Sequence, residues 1–187
     1  MNKTAYAFLA TGFEEVEALS VVDILHRANI NIKTVSITGD KLVTGSHGIG
    51  IMADLIFDDI KDTTADLLFL PGGMPGTTNL GSHAELCDML TKHFEEGRHV
   101  AAVCAAPSVL GKLGFLKDKK ATCYPGFEDS LTDATVITSD RRIRVITDGN
   151  VTTSRGMGTS IELGLELVKV LVDENTAHEL ALATQTI

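Results

Sequence analysis

One cysteine, Cys104, lies where a short apolar segment changes directly into a helix. His99–Val103 is typical of a buried strand, and Pro107 stands where the first turn of a helix tolerates proline. This spacing predicts a tight strand-to-helix turn that presents the sulfur like a nucleophile elbow. Helix N–H groups favour the thiolate, the reactive form of sulfur. We therefore expect an exposed thiol that is ionised at neutral pH; the alternative is a small core residue.

A pair of glycines follows another predicted strand. Gly72 and Gly73 come directly after Asp66–Leu70. Adjacent glycines at the carboxyl end of a strand expose backbone N–H groups and suit an oxyanion, although a plain turn uses the same residues. Ligands of open parallel sheets bind at this edge, so we expect the glycines to lie near Cys104.

Three glutamates open the helix that follows the first strand. Glu14 and Glu15 are explained by charge complementation at a helix N-terminus. Glu17 lies further in, among apolar neighbours, which favours burial. A buried carboxyl beside a thiol tends to keep its proton and can donate a hydrogen bond to sulfur.

Strand-like and helix-like segments alternate along the chain, which predicts an α/β fold with a mostly parallel sheet and helices on both faces. Val43–Asp54 is glycine-rich and indicates a hairpin or extended excursion. The predicted strands are Ala5–Ala10, Asn31–Ile37, Asp66–Leu70, Val100–Val103, Val136–Thr138, Ile143–Ile146 and Val151–Thr153. The predicted helices are Glu15–Ala28, Ser82–Glu96, Pro107–Leu113, Ser160–Val172 and Thr176–Ala183.

Composition limits the possible classes of protein. The length of 187 residues predicts a single domain, 1–187. The composition, 44% hydrophobic and 22% charged residues, is ordinary for a soluble globular protein. A net charge of −9 without a basic stripe argues against a nucleic acid partner. The apolar runs are far shorter than the ~20 residues that span a bilayer, so we expect no membrane association. Three cysteines without CxxC spacing form no disulfide framework and favour the cytoplasm.

Two helices carry further predictions. Thr159 and Glu162 have the spacing of a capping box at the start of the helix Ser160–Val172. The first helix, Glu15–Ala28, is apolar on two sides, which suits either a homodimer interface or deep burial within one chain. No metal-ligand spacing, Walker loop or GxGxxG is present, so we expect no metal and no nucleotide cofactor.

Five motifs together resemble one family. The segments GFEEVEA, LPGG, AAVCAAP, ATCYP (Ala121–Pro125) and TSRGMGTS (Thr153–Ser160) have the order and spacing of the DJ-1/ThiJ/PfpI family, closest to its DJ-1 branch. The resemblance covers essentially the whole chain. It implies a flavodoxin-like three-layer α/β sandwich that forms a homodimer.

The resemblance also implies roles for individual residues. Cys104 would be the reactive nucleophile and Glu17 its protonated hydrogen-bonding partner. The pocket for an oxyanion or substrate would include Gly72 and the backbone N–H groups of Gly73 and Ala105. The remaining residues implied at the pocket are Tyr124, Ser154, Arg155 and, reaching from one subunit towards the other, Arg27.

The chain departs from the family pattern at two positions. Tyr124 stands where some relatives carry a histidine, so a Cys–His relay is absent there. Tyr124 either donates a hydrogen bond to a substrate oxygen or packs. His47 stands where some relatives carry an arginine. Cys123 is close in sequence to Tyr124, and both Cys123 and Cys87 are expected to fill space.

The resemblance implies two functions that use the same residues. One is a cofactor-independent glyoxalase or deglycase that acts on methylglyoxal, glyoxal or their early adducts through the Cys104 thiolate. The other is an oxidative-stress sensor or chaperone, in which Glu17 stabilises an oxidised Cys104. A peptidase or amidase lacks a base histidine positioned by a motif, and a member without activity, acting through its dimer surface, is a third alternative.

Overall fold

The computed structural model describes residues 3–138, 140 and 142–187. The strands are β1 (Thr4–Leu9), β2 (Asn31–Ser36), β3 (Leu42–Thr44), β4 (Gly50–Met52), β5 (Leu55–Ile56), β6 (Leu67–Leu70), β7 (His99–Val103), β8 (Lys120–Ala121), β9 (Thr135–Val136), β10 (Val145–Asp148) and β11 (Val151–Ser154). The helices are α1 (Glu15–Arg27), α2 (Gly76–Ser82), α3 (Ala84–Glu95), α4 (Pro107–Lys112), α5 (Ser160–Leu171) and α6 (Glu174–Ala183), with short 3-10 turns between some elements.

A seven-stranded sheet forms the centre of the fold, in the order β10-β11-β7-β6-β1-β2-β5. The β10–β11 pair is antiparallel and the other pairs are parallel. The apolar runs of β6 and β7 are buried throughout, as expected for strands covered on both faces. The predicted mostly parallel α/β fold is confirmed.

Helices cover both faces of the sheet and make three layers. Along β1, Ala5 and Ala7 pack with residues of α1, α5 and α6, whereas Tyr6 and Phe8 pack with residues of α2, α3 and α4. This alternation follows from the two-residue period of a strand. The hairpin predicted within Val43–Asp54 is present as the antiparallel pair β3–β4.

Several predicted boundaries are wrong. The helix predicted at Ser82–Glu96 begins at Ala84, because His83 caps it by accepting a hydrogen bond from the Leu86 N–H at 3.2 Å. A separate helix, α2, precedes it and was not predicted. The strand predicted at Ile143–Ile146 instead covers Val145–Asp148.

The predicted capping box of α5 is also wrong. The Thr159 hydroxyl turns back from the helix and donates to the Gly156 carbonyl at 2.8 Å. The Glu162 carboxylate pairs with Arg144 instead of the helix cap. Among the described residues, every helix is too short or too polar to cross a lipid bilayer.

Candidate active site

Cys104 occupies the tight turn between β7 and α4. Its φ is +63°, in the left-handed region that costs a non-glycine residue conformational energy. Two hydrogen bonds fix the strained residue: its N–H donates to the Ser154 carbonyl at 3.0 Å, and its carbonyl accepts from the Tyr124 N–H at 2.8 Å. The strand-to-helix turn predicted from the sequence is present, and its strain is supported by neighbours on both sides.

Glu17 reaches this turn from the first turns of α1. It is 1% exposed, and its Oε2 accepts a hydrogen bond from the Gly72 N–H at 2.9 Å. A Cβ atom added to Gly72 would lie 2.5 Å from Glu17 Oε2 and 2.6 Å from Cys104 Cβ. Gly72 therefore lets the carboxyl group and the cysteine approach each other, and only glycine fits there.

The proton of Glu17 is held more tightly than in water. Burial raises its pKa, the nearby Glu14 carboxylate raises it further, and hydrogen bonds with Cys104 and the Gly72 N–H oppose the rise, leaving a pKa of about 7. A glutamic acid with this pKa can donate or accept a proton at neutral pH.

The Cys104 thiol is also held in its protonated form while Glu17 is ionised. Burial, the Glu17 charge and its hydrogen bond raise the thiol pKa to about 12, although the Ala105 and Gly73 N–H groups lower it. The backbone N–H groups act in the predicted direction, but burial and the carboxylate outweigh them. The expectation of an exposed thiol is therefore wrong, because Cys104 is half-buried. The ionisation of the thiol depends on the charge of Glu17, so the two groups titrate as a pair.

Ala105 and Gly73 border the sulfur with their backbone N–H groups. Gly73 has a φ of +89°, and a Cβ there would lie 2.3 Å from the Glu14 nitrogen. The Gly72–Gly73 turn is thus packed against the start of α1, beside the cysteine. Two N–H groups facing one sulfur are the arrangement that an oxyanion formed at that sulfur would need.

Tyr124 lies at the open side of this arrangement. It is 51% exposed, and its ring Cδ2 lies 3.3 Å from the position that a Cβ on Gly156 would take. The same position is 3.9 Å from Glu17 Oε1, so one glycine separates the ring from the carboxyl group. The structure brings Tyr124 to the border of the site.

The side chains of Ser154, Arg155 and Arg27 have the following places in the structure. Ser154 is buried, and its hydroxyl donates to the Arg144 carbonyl at 3.0 Å, so only its backbone carbonyl serves Cys104. Arg155 donates to the Asp140 carbonyl at 3.2 Å. Arg27 ends α1, about 15 Å along the helix from Glu17, and the structure does not bring it to the site of its own chain.

Glu15 has a role that the sequence did not indicate. It is 3% exposed, and its carboxylate accepts from the His47 N–H at 2.8 Å, pairs with His47 Nδ1 at 2.8 Å and accepts from the Ser46 hydroxyl at 3.3 Å. Burial alone would raise its pKa, but these hydrogen bonds lower it to about 2. Glu15 thus fastens the β3–β4 hairpin to α1. No spacing in the sequence links position 15 to position 47.

Glu14, Glu15 and His47 bring their carboxylate and imidazole atoms within 4.8 Å of one another. The Glu15 oxygens are already satisfied by protein donors, so we interpret the group as an ion-pair cluster and assign no metal to it. A cavity of about 430 Å³ lies at the amino ends of the strands, beside Ala65 and Arg98. Cys104 does not line it. Cys123 is fully buried and packs in the core.

Comparison with known proteins supports the resemblance. The model of the DJ-1/PfpI family matches residues 3–170. The chain is 36% identical over 181 residues to protein DJ-1 homolog A of Arabidopsis thaliana, covering 96% of this chain and 46% of that protein. It thus spans less than half the length of the plant relatives it matches. It is 34% identical over 163 residues to the deglycase PfpI of Pyrococcus furiosus, covering 87% of this chain and 95% of that one.

A solved structure has the same fold. Oxidized DJ-1 of Toxoplasma gondii superimposes with a TM-score of 0.92 at 32% identity, covering 98% of each chain.

Proposed function

Because the chain belongs to the DJ-1/PfpI family, we propose that it converts small reactive dicarbonyls, with Cys104 as nucleophile and Glu17 as proton carrier. Candidate substrates are methylglyoxal, glyoxal and their early adducts. The observation that carries the proposal is the buried Glu17 carboxyl beside Cys104, with a pKa of about 7. The relative named a deglycase supports the reaction class.

The first step joins the sulfur to the substrate aldehyde. The Cys104 thiolate attacks the aldehyde carbon, a C–S bond forms, and the carbonyl π electrons move to oxygen. The N–H groups of Gly73 and Ala105 stabilise this oxyanion, and the Glu17 carboxylic acid gives it a proton. The product is a hemithioacetal, and Glu17 is now a carboxylate.

The later steps return the proton and release the product. The Glu17 carboxylate takes the proton from the carbon that bears sulfur, which leaves an enediolate, and Glu17 returns that proton to the neighbouring carbon. The hydroxyl proton of the first carbon passes to the oxygen of the second, so the first carbon becomes the thioester carbonyl. This converts methylglyoxal to a lactate thioester: one carbon is oxidised, its neighbour is reduced, and no external oxidant is consumed. Water then hydrolyses the thioester, which gives lactate and restores the thiol.

Replacing the nucleophile tests this function. We expect Cys104→Ala to abolish lactate formation from methylglyoxal, and Glu17→Gln to lower kcat because the amide cannot deliver the proton. Cys87→Ala is the matched control, since Cys87 is a half-buried cysteine on α3 and is not part of this turn. Wild-type turnover in Cys104→Ala would show that the nucleophile is wrongly assigned.

A redox role is a second candidate, supported by the description of the Toxoplasma gondii relative as oxidized. Two equivalents of peroxide would each transfer one oxygen to the Cys104 sulfur and leave as water, giving a sulfinate. Protonated Glu17 and the two backbone N–H groups are donors placed to stabilise it. We expect mild peroxide to add two oxygens at Cys104, measured by intact mass and peptide mapping. Addition of two oxygens at Cys104 in a protein that does not convert dicarbonyls would favour the role as an oxidative-stress sensor.

The proposed active form is a homodimer that uses α1. Val16 and Leu19 are 47% and 39% exposed on this helix, whereas Val21 and Leu25 on its other side are fully buried. One apolar side packs in the core and the other faces outward, as a helix at an interface requires. In such a dimer, Arg27 would be available to the neighbouring subunit.

A further inference from the structure

His47 lies on the β3–β4 hairpin, next to the two glutamates that open α1. Its Nδ1 is 2.8 Å from Glu15 Oε2 and 4.0 Å from Glu14 Oε1. The other oxygen of Glu14, Oε2, accepts a hydrogen bond from the Glu17 N–H at 2.6 Å. One side chain, Glu14, therefore contacts both the histidine cluster and the backbone of the proton carrier.

We propose that His47 is a positioning residue that decides how the shared proton is divided between Glu17 and Cys104, acting through Glu14. The inference builds on the Cys104–Glu17 pair of the proposed function. It concerns the ionisation of the thiol, whichever carbonyl or oxidant the thiol meets.

Few ionisable groups act on the residues that connect His47 with Glu17 through Glu14. Within the part of the chain that the structure describes, the ionisable groups that act on His47 are Glu14, the N-cap of α1, and Glu15 in its first turn, and both raise the pKa of the imidazole. Glu14 and Cys104 are the ionisable groups that act on Glu17. The charge that changes with pH near Glu14 is thus the imidazolium of His47.

The direction of the effect follows from these contacts. The Glu14 carboxylate raises the pKa of Glu17, and a protonated His47 offsets that negative charge. With the imidazolium present, the shared proton moves towards sulfur and the thiol is less reactive. When the imidazolium loses its charge, Glu17 keeps the proton and the fraction of thiolate increases. A positive charge acting directly on the sulfur would have the opposite effect, because it attracts the thiolate.

The test compares His47→Gln with His47→Lys, which carries a permanent positive charge. The His47 side chain is 67% exposed, so both variants should fold. We measure the rate of Cys104 alkylation by iodoacetamide from pH 6 to 9, with mass mapping of the labelled residue. At pH 8 we expect the Gln variant to react about two- to fivefold faster than the Lys variant, the range for a solvent-screened charge pair. The alkylation rate of the wild-type protein should match that of His47→Lys at low pH and that of His47→Gln at high pH.

The same two His47 variants, each combined with Glu14→Gln, test whether the effect of His47 depends on the charge of Glu14. Glu14→Gln keeps an oxygen for the Glu17 N–H but removes the charge, so the difference between the Gln and Lys variants should disappear in it. The proposal is overturned if His47→Lys is alkylated as fast as His47→Gln or faster. It is also overturned if the two alkylation rates still differ in the Glu14→Gln background. Alkylation needs no turnover, so loss of dicarbonyl activity in wild type would refute the proposed function and leave this inference standing.

Discussion

Replacing Gly72 with alanine tests whether the close approach of Glu17 and Cys104 determines reactivity. The new Cβ would lie 2.5 Å from Glu17 Oε2, 2.6 Å from Cys104 Cβ and 2.9 Å from the Val103 carbonyl oxygen. An ordinary contact begins near 3.4 Å, so the three neighbours fall short by 0.5–0.9 Å. Two of them belong to the strained turn and the buried strand β7, which cannot move without breaking backbone hydrogen bonds.

The magnitude follows from which atoms must move. Extra carbon in a well-packed site costs about 1–3 kcal/mol of unfolding free energy. The carboxyl group of Glu17 is the most mobile neighbour, and moving it weakens the 2.9 Å hydrogen bond from the Gly72 N–H. That bond holds the carboxyl group beside Cys104, so weakening it lets Glu17 move away from the sulfur. A displacement of about 1 Å between reacting groups costs on the order of 100-fold in rate.

The assay uses Gly158→Ala as the matched control. No heavy atom lies within 4 Å of a Cβ at Gly158, so the same change in composition is sterically free. We expect Gly72→Ala to lose 1–3 kcal/mol in urea unfolding and about 100-fold in dicarbonyl turnover, while Gly158→Ala stays near wild type in both. A folded Gly72→Ala protein with wild-type turnover would show that the contact between Glu17 and Cys104 is not needed.

Three further predictions concern stability and assembly. Glu15→Gln should lower the unfolding free energy by about 1–2 kcal/mol at pH 7, because the pKa of Glu15 is about 2 in the folded protein and 4.5 in the unfolded chain. The stabilisation by the Glu15 carboxylate is lost as pH falls from 4.5 to 2, so urea unfolding of the variant should depend less on pH in that range. Burial and the nearby His93 lower the pKa of His99 to about 4, so the unfolding free energy should fall by about 3 kcal/mol as pH drops from 6.5 to 4. The same pH dependence of the unfolding free energy in wild type and His99→Gln would contradict this prediction. Val16→Glu should halve the mass measured by light scattering; a wild-type mass would exclude α1 from the interface, and a monomeric wild type would exclude the dimer.

The centre of the sheet could be predicted because β6 and β7 are short apolar runs, as strands that are buried on both faces must be. Elements that depend on tertiary contacts could not. β5 and β8 contain two residues each, so they exist through pairing with β2 and β9 and leave no periodic pattern. α2 has the sequence GTTNLGS, whose two glycines disfavour a helix, yet the burial of Leu80 stabilises it.

The position of the candidate site could be predicted for the same reason as the sheet. Parallel strands end at one edge, so the turns after β1, β6 and β7 had to meet there. The contacts inside the site depend on distances that no local pattern encodes. Gly72 and Glu17 are 55 positions apart, and the need for glycine at position 72 becomes visible only when the carboxyl group and Cys104 Cβ are placed beside it.

The ionisation of Cys104 depends on contacts that the local sequence pattern does not contain. The turn supplies the N–H groups of Gly73 and Ala105, which lower the thiol pKa as the sequence indicates. The fold adds burial and the Glu17 carboxylate, and these raise it to about 12. The thiolate can therefore form at neutral pH only when the proton resides on Glu17, because that removes the opposing charge. Reactivity is thus a property of the pair, and any residue that changes the proton affinity of Glu17 changes the reactivity of Cys104 without touching the sulfur.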